Sequence, residues 1–214
     1  ICAPDDIEFV NTSTGGSLEF TWDFGDGNLL NVSNRNGVTH GYENKTPNPI
    51  PRTVTLTARN SLGCTNALPA TLPITVYPEV VADYTLQIDS ICSPTGVTVT
   101  NNSLNGTDFT WTFTPTAGAP INVNRVKTDG PFSQLLPNAA PSESNLVYTV
   151  GLTARTDHRD GGGNILITCP STAPTRTVTV APELSLNMIP NETALCSDAQ
   201  ITFTNQSTGG NLSF

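Results

Sequence analysis

Residues 20–27 read Phe20-Thr21-Trp22-Asp23-Phe24-Gly25-Asp26-Gly27. With Leu18 in front, large apolar side chains fall at every second position, and Glu19, Thr21 and Asp23 stand between them. That spacing is the period of a half-buried β-strand, which turns one face into a core and the other toward water. Gly25-Asp26-Gly27 then stops it. Glycine reaches the positive-φ conformations of a tight turn, and Asp bonds its own backbone there.

The surrounding 214 residues suit short strands and many turns: Gly and Pro number 17 each, and the hydrophobic fraction is 36%. Small cores are within reach, one large core is not, and the pattern predicts an all-β protein of one to two domains by length. No stretch holds a helical period, and no apolar run is long enough to span a membrane, so membrane insertion is not expected. No signal peptide opens the chain, which begins at Ile1 and is taken as an interior or processed piece. Nine basic residues against 18 acidic ones give a net charge of −9, which repels phosphate backbones and argues against nucleic acid.

Trp22 through Gly27 match, letter for letter, the Trp-Asp-Phe-Gly-Asp-Gly hallmark of the PKD (polycystic kidney disease) domain, and the run resembles that family. His40-Gly41-Tyr42 and Thr53-Val54-Thr55-Leu56-Thr57-Ala58-Arg59-Asn60 are similar to its next two strands. The resemblance implies an immunoglobulin-like β-sandwich. Strand B would be Ile7 to Val10, C the signature strand, F Thr53 to Arg59 with Val54, Leu56 and Ala58 inward, and G Leu72 to Val76.

The chain repeats itself. Trp22 recurs as Trp111, Thr53–Arg59 as Thr149–Arg155, and Ile74-Thr75-Val76-Tyr77-Pro78-Glu79 as Val178-Thr179-Val180-Ala181-Pro182-Glu183. Cys196 to Phe214 then copies Cys2 to Phe20 at a constant offset of 194. Tandem PKD-like β-sandwich repeats are therefore expected at 1–79, 80–182 and, in part, 183–214, a cut from a longer array. The first copy lacks the opening strand that the second owns in Val81 to Ile88, where Ala82, Tyr84, Leu86 and Ile88 alternate. The second copy lengthens its loops, notably at Asp157 to Asn164. In the third, Ile201, Phe203, Leu212 and Phe214 are expected to be covered by the rest of that repeat or by a neighbouring chain adding a strand.

Five cysteines stand at 2, 64, 92, 169 and 196 with no Cys-x-x-Cys spacing, which disfavours zinc. Each full copy has one just before strand B and one after strand F. Matched positions predict the disulfides Cys2–Cys64 and Cys92–Cys169 in an oxidising compartment, each contributing roughly 4 kcal/mol through loop closure. Cys196 would pair outside this chain.

Asp23 and Asp26 are the nearest approach to a paired-carboxylate site. They lie exposed beside a turn and the second copy lacks both, so no catalysis is expected. Calcium at Asp23 and Asp26, which some PKD domains bind, and a purely structural turn remain the two alternatives; no other cofactor is expected. His40 and His158 have no nucleophile motif for a triad, and His40 is expected to pack rather than act as a base. Tyr42, Tyr77 and Phe132 are scattered rather than aligned as a sugar-binding stripe. Asn-x-Ser/Thr sequons occur at Asn11, Asn31, Asn44, Asn101, Asn105, Asn191, Asn205 and Asn211. Asp89-Ser90-Ile91 resembles the Bacteroidota O-glycosylation acceptor, which would place a glycan on Ser90.

Tandem, disulfide-bearing repeats of this kind resemble large secreted surface proteins of Bacteroidota, including gliding-motility adhesins of the SprB type exported by the type IX system. The resemblance implies a non-catalytic stalk and adhesion module at the cell surface, whose partners are an extracellular polymer or surface ligand and the neighbouring repeats. The alternative is an accessory substrate-binding module of a secreted polysaccharide- or protein-degrading enzyme.

Overall fold

A computed structural model describes residues 1–15, 18–66, 68–87, 90–139, 144–194, 198 and 200–209. Among these, every regular element is a strand, and the chain forms two compact units by contact: residues 1–80 with 155–170, and residues 81–154 with 171–214.

In unit 1 the strands are β1 (Asp5–Phe9), β2 (Leu18–Asp23), β3 (Leu29–Val32), β4 (Val38–Tyr42), β5 (Ile50–Asn60) and β6 (Ala70–Val76). β1 pairs antiparallel with β4, and β3-β2-β5-β6 form a second antiparallel sheet. Alternation in β2 does what its period dictates: Phe20, Trp22 and, just past the strand, Phe24 are buried. Trp22, Phe24, Val54 and Val76 of one sheet meet Phe9, Val38 and Tyr42 of the other. Each such large side chain contributes about 1.5–3 kcal/mol on leaving water. Of the other two residues expected inward with Val54, Leu56 packs against the core cluster, and both Leu56 and Ala58 are half-buried. Leu56 borders an open cavity, and Ala58 borders a surface groove.

Unit 2 opens with β7 (Tyr84–Leu86) and β8 (Ser90–Cys92), followed by β9 (Gly96–Asn101), β10 (Asp108–Pro115), β11 (Ile121–Val126), β12 (Phe132–Leu135), β13 (Leu146–Arg159), β14 (Ile165–Thr172) and β15 (Arg176–Ala181). β7 and β12 flank β9 in one sheet; β11-β10-β13-β15-β8 form the other, with β14 on β13. Tyr84, Val97 and Val99 on the first sheet and Trp111, Phe113, Val150 and Val178 on the second are almost wholly buried. The opening strand is shorter than expected, but Ala82 and Tyr84 are buried in the expected register; Ile88 lies outside the described residues. At the lengthened loop 157–164, β13 runs on to Arg159 and β14 begins at Ile165, so residues 160–164 form the turn, in which Asp160 N–H donates to the Asn164 carbonyl. Residues 155–170, assigned by sequence to the second copy, belong to unit 1 by contact.

The third copy forms β16 (Met188–Pro190) paired with β17 (Phe203–Asn205). Ile201 and Phe203 are exposed there, as are Leu184, Leu186 and Met188; Cys196, Leu212 and Phe214 lie outside the described residues.

The disulfide pairing differs from the expected one. Cys2 is bonded to Cys169, and Cys64 and Cys92 are free, exposed thiols. The physical reason is strand length. Cys2 bridges Tyr77, beside the Ile50↔Val76 end of the β5–β6 hairpin. Cys64 follows Asn60 at the other end, where the Asn60 N–H donates to its carbonyl. The eleven residues of β5 separate these ends by roughly 30 Å, whereas a disulfide needs Cα atoms within about 7 Å. Cys92 pairs with Ala181 at the Leu146 end of β13, and Cys169 lies on β14 near the opposite, hairpin end. Matched positions in a repeat do not make neighbours when the two positions cap opposite ends of one strand.

Candidate functional site

The turn that closes β2 gathers the polar side chains singled out by sequence. Gly25 and Gly27 have φ of 73° and 98°, which lets the chain reverse within three residues. The Gly25 N–H donates to Asp23 Oδ1 at 2.9 Å, and the Asn28 N–H donates to Asp26 Oδ1 at 3.0 Å. Asp26 Oδ2 accepts from Asn28 Nδ2 at 3.1 Å and from His40 Nε2 at 2.7 Å. The His40 ring lies flat on Phe24, centroids 3.9 Å apart, with Tyr42 edge-on at 4.8 Å. Tyr42 Oη donates to the Phe24 carbonyl at 3.0 Å, and Arg52 Nη1 to the Gly25 carbonyl at 3.1 Å.

Burial pushes the Asp26 carboxyl up, but hydrogen bonds from His40 and Asn28 more than offset it and leave it below the usual range. Burial, helped by the nearby Asp26 charge, pushes the Tyr42 phenol up to about 12. These shifts belong to a hydrogen-bonded structural corner. His40 spends Nε2 on a carboxylate rather than on a hydroxyl or thiol, so the pair lacks the nucleophile that hydrolytic chemistry needs.

Calcium fits this turn poorly. Both Asp26 oxygens and one Asp23 oxygen already receive N–H donors, and Ca²⁺ takes six to eight oxygen ligands. Among the described residues no three His, Cys, Asp or Glu side chains gather as a metal would require. In the second copy Thr114 and Pro115 stand where Gly25 and Asp26 do, and Thr116 N–H bonds the Val147 carbonyl instead.

The other candidates are dispersed. His158 stacks on Tyr77 at 4.2 Å with Nε2 buried and unpartnered, and burial pushes its imidazole down. Tyr42 is buried, and Phe132 packs edge-on against Trp111. The Ser90 backbone pairs with Thr179 in β8; its side chain and Asp89 lie outside the described residues.

Two sets of residues escaped sequence reasoning. Asn44 is buried and its Nδ2 donates to the carbonyls of Asn48 and Val76; Asn138 does the same to Ser144 and Val180 in unit 2. Each ties a loop to the last core strand. The second set is Asn-x-Ser at 101–103 and 205–207, where the Asn carbonyl oxygen accepts the Ser N–H and the Ser hydroxyl holds the backbone of the opening strand. Both sets lie in sequences read above as glycosylation sequons or left unread.

Residues 3–76 match the family model of the PKD domain. No curated protein matches the chain. Among solved structures, the extracellular cadherin domains 3–6 of protocadherin gamma B2 are similar at 11% identity and a TM-score of 0.32, over 96% of this chain and 61% of that one. That superposition is too loose to bear on function. The sandwich of residues 3–76 is PKD-like, and the chain as a whole is all-β with antiparallel sheets.

Proposed function

We propose that this chain is a non-catalytic, tension-resisting spacer in an extracellular adhesion protein. The observation that carries the reading is the Cys2–Cys169 bond, which spans 167 residues and so closes around the first sequence copy and most of the second, leaving β15 outside the loop. Pull applied at the two ends passes through this covalent shortcut, and the sheets inside the loop cannot be drawn out while it stands. Disulfides persist outside the reducing cytosol, which supports an extracellular setting. The PKD match at 3–76 supports the same setting, and the commitment of Asp23, Asp26 and His40 to one turn supports a role without chemistry. Within that setting, the repeat pattern favours a cell-surface adhesin of the gliding-motility type, exported by the type IX route, whose ligand is an extracellular polymer.

Single-molecule pulling between the chain ends tests this. Under oxidising conditions only the residues outside the loop should extend. After reduction the contour should grow by roughly 58 nm, from the sequence separation of 167 at about 3.5 Å per residue. Equal extension in both conditions overturns the proposal.

A further inference from the structure

The β3-β2-β5 sheet of unit 1 is apolar on its inner face and polar on its outer one. Alternation puts Glu19 and Thr21 on the side of β2 opposite the buried Phe20 and Trp22. Register then sets Asn31 and Thr57 on either side of Thr21, and Arg59 beside Glu19. With Ser33, just past the end of β3, these side chains line a groove of about 530 Å³. That falls within the roughly 300–1,000 Å³ of ordinary ligand clefts. Neighbouring strands lie about 4.8 Å apart, so Asn31, Thr21 and Thr57 form a row about 10 Å long across the sheet.

The row is oriented but not satisfied. Thr21 Oγ1 donates to Asn31 Oδ1 at 2.6 Å, which fixes the amide and leaves its Nδ2 without a partner among the described residues. Thr57 Oγ1 reaches the Thr21 carbonyl at 3.4 Å, and both threonine hydroxyls keep lone pairs that can accept. Ser33 is exposed, with no side-chain bond among the described residues. Glu19 Oε2 stands 3.9 Å from Arg59 Nε, close enough to balance its charge and too far for a hydrogen bond. The second copy keeps only half of this arrangement. There Thr110 Oγ1 donates to Asn124 Oδ1 at 3.1 Å, but Val126 stands in the place of Ser33, and Asp108, in the place of Glu19, accepts the Thr107 hydroxyl at 2.7 Å.

We propose, resting on the adhesion reading above, that this groove of unit 1 binds a neutral polysaccharide chain through the Asn31-Thr21-Thr57 row and the Glu19–Arg59 pair. A sugar hydroxyl both donates and accepts, and the groove sets donors (Asn31, Ser33, Arg59) beside acceptors (Glu19, Thr21, Thr57). Charge decides which polymer fits. Glu19 and Arg59 cancel, so nothing in the groove offsets the repulsion that a chain of net charge −9 exerts on a uronate or sulfate polymer. β3 is the edge of its sheet, which leaves room for a long chain to continue past the site.

The test titrates cellohexaose, laminarihexaose and mannohexaose into the full chain and follows backbone amide NMR signals, with hexagalacturonate as the anionic control. At least one neutral probe should give saturable shifts at 19–21, 31–33 and 57–59, with a Kd of about 1 mM or below, and hexagalacturonate should give none. Asn31→Ala and Ser33→Val should each weaken binding about threefold and Arg59→Gln about tenfold, the range expected for hydrogen bonds of this kind. Amide signals outside the groove should stay in place in all these variants, and Asn124→Ala in unit 2 should bind as the wild type does. No saturable shift with any neutral probe up to about 10 mM overturns the proposal. So do tighter binding of hexagalacturonate, shifts that map elsewhere, or binding unchanged by both Asn31→Ala and Arg59→Gln. Such a failure leaves the spacer reading standing, because the pulling experiment reads the Cys2–Cys169 bond and not this face.

Discussion

His40 Nε2 lies 2.7 Å from Asp26 Oδ2 while the same imidazole stacks on Phe24, so one ring joins the signature turn to β4 through both a polar and an apolar contact. The partner sheets of unit 1 are thereby joined at the point where β2 ends. Asp26 is the polar half of that joint. Because its carboxyl sits below the usual range in the fold, its stabilisation is fully present above the unfolded value near pH 4 and is lost as pH falls through the folded value. Asp26→Asn should cost about 1–2 kcal/mol at neutral pH and flatten the acid limb of the stability curve below about pH 4. Urea denaturation across pH 2–7, an illustrative range of about five pH units, reads both effects.

Tyr42 gives the alkaline counterpart. Its phenol is pushed up to about 12, so the fold favours the neutral, donating form. That stability is present below the unfolded value near 10 and is lost as pH rises toward about 12. Tyr42→Phe removes the bond to the Phe24 carbonyl and should cost about 1–2 kcal/mol while abolishing this alkaline loss. Ultraviolet titration of the phenols should show one late-ionising group missing in the variant.

Two glycines in one turn should respond differently to alanine. A Cβ on Gly25 would stand 2.6 Å from the Thr53 carbonyl oxygen and 2.9 Å from its nitrogen, whereas one on Gly27 meets nothing within 4 Å. Both have positive φ, costing about 1–2 kcal/mol for alanine, but only Gly25 adds a backbone collision. Gly25→Ala should lose about 3 kcal/mol or more and Gly27→Ala about 1–2 kcal/mol in thermal or urea unfolding.

Non-reducing peptide mapping should recover one crosslinked pair, Cys2 with Cys169, and find Cys64 and Cys92 open to alkylation in the folded state. A Cys2–Cys64 peptide would contradict the strand geometry.

The signature strand was legible because burial obeys a period: Phe20, Trp22 and Phe24 are inward as their spacing demands, and Trp111 and Phe113 follow in the second copy. The disulfide was not. Equivalence between copies carries no information about which end of a long strand a cysteine occupies, and β5 alone is eleven residues. The Asn-x-Ser tripeptides at 11–13, 101–103 and 205–207 were visible in the sequence but counted only as sequons, since one tripeptide serves both chemistries. What separates them is the strand lying alongside, a tertiary fact. Leu56 and Ala58 are half-buried for a related reason: alternation says which way a side chain points, and only the neighbouring element decides how much of it is covered.

The Cys2–Cys169 bond also sets a timetable. Cys2 emerges from the ribosome 167 residues before its partner, an interval of roughly 8–30 s at ordinary synthesis rates. Cys64 and Cys92 both arrive within that interval and are nearer in sequence. A chain that paired by order of arrival would close the wrong loop. In the folded first sandwich Cys2, beside Tyr77, and Cys64 stand at opposite ends of β5, so once that sandwich has formed the thiol nearer in sequence is out of reach.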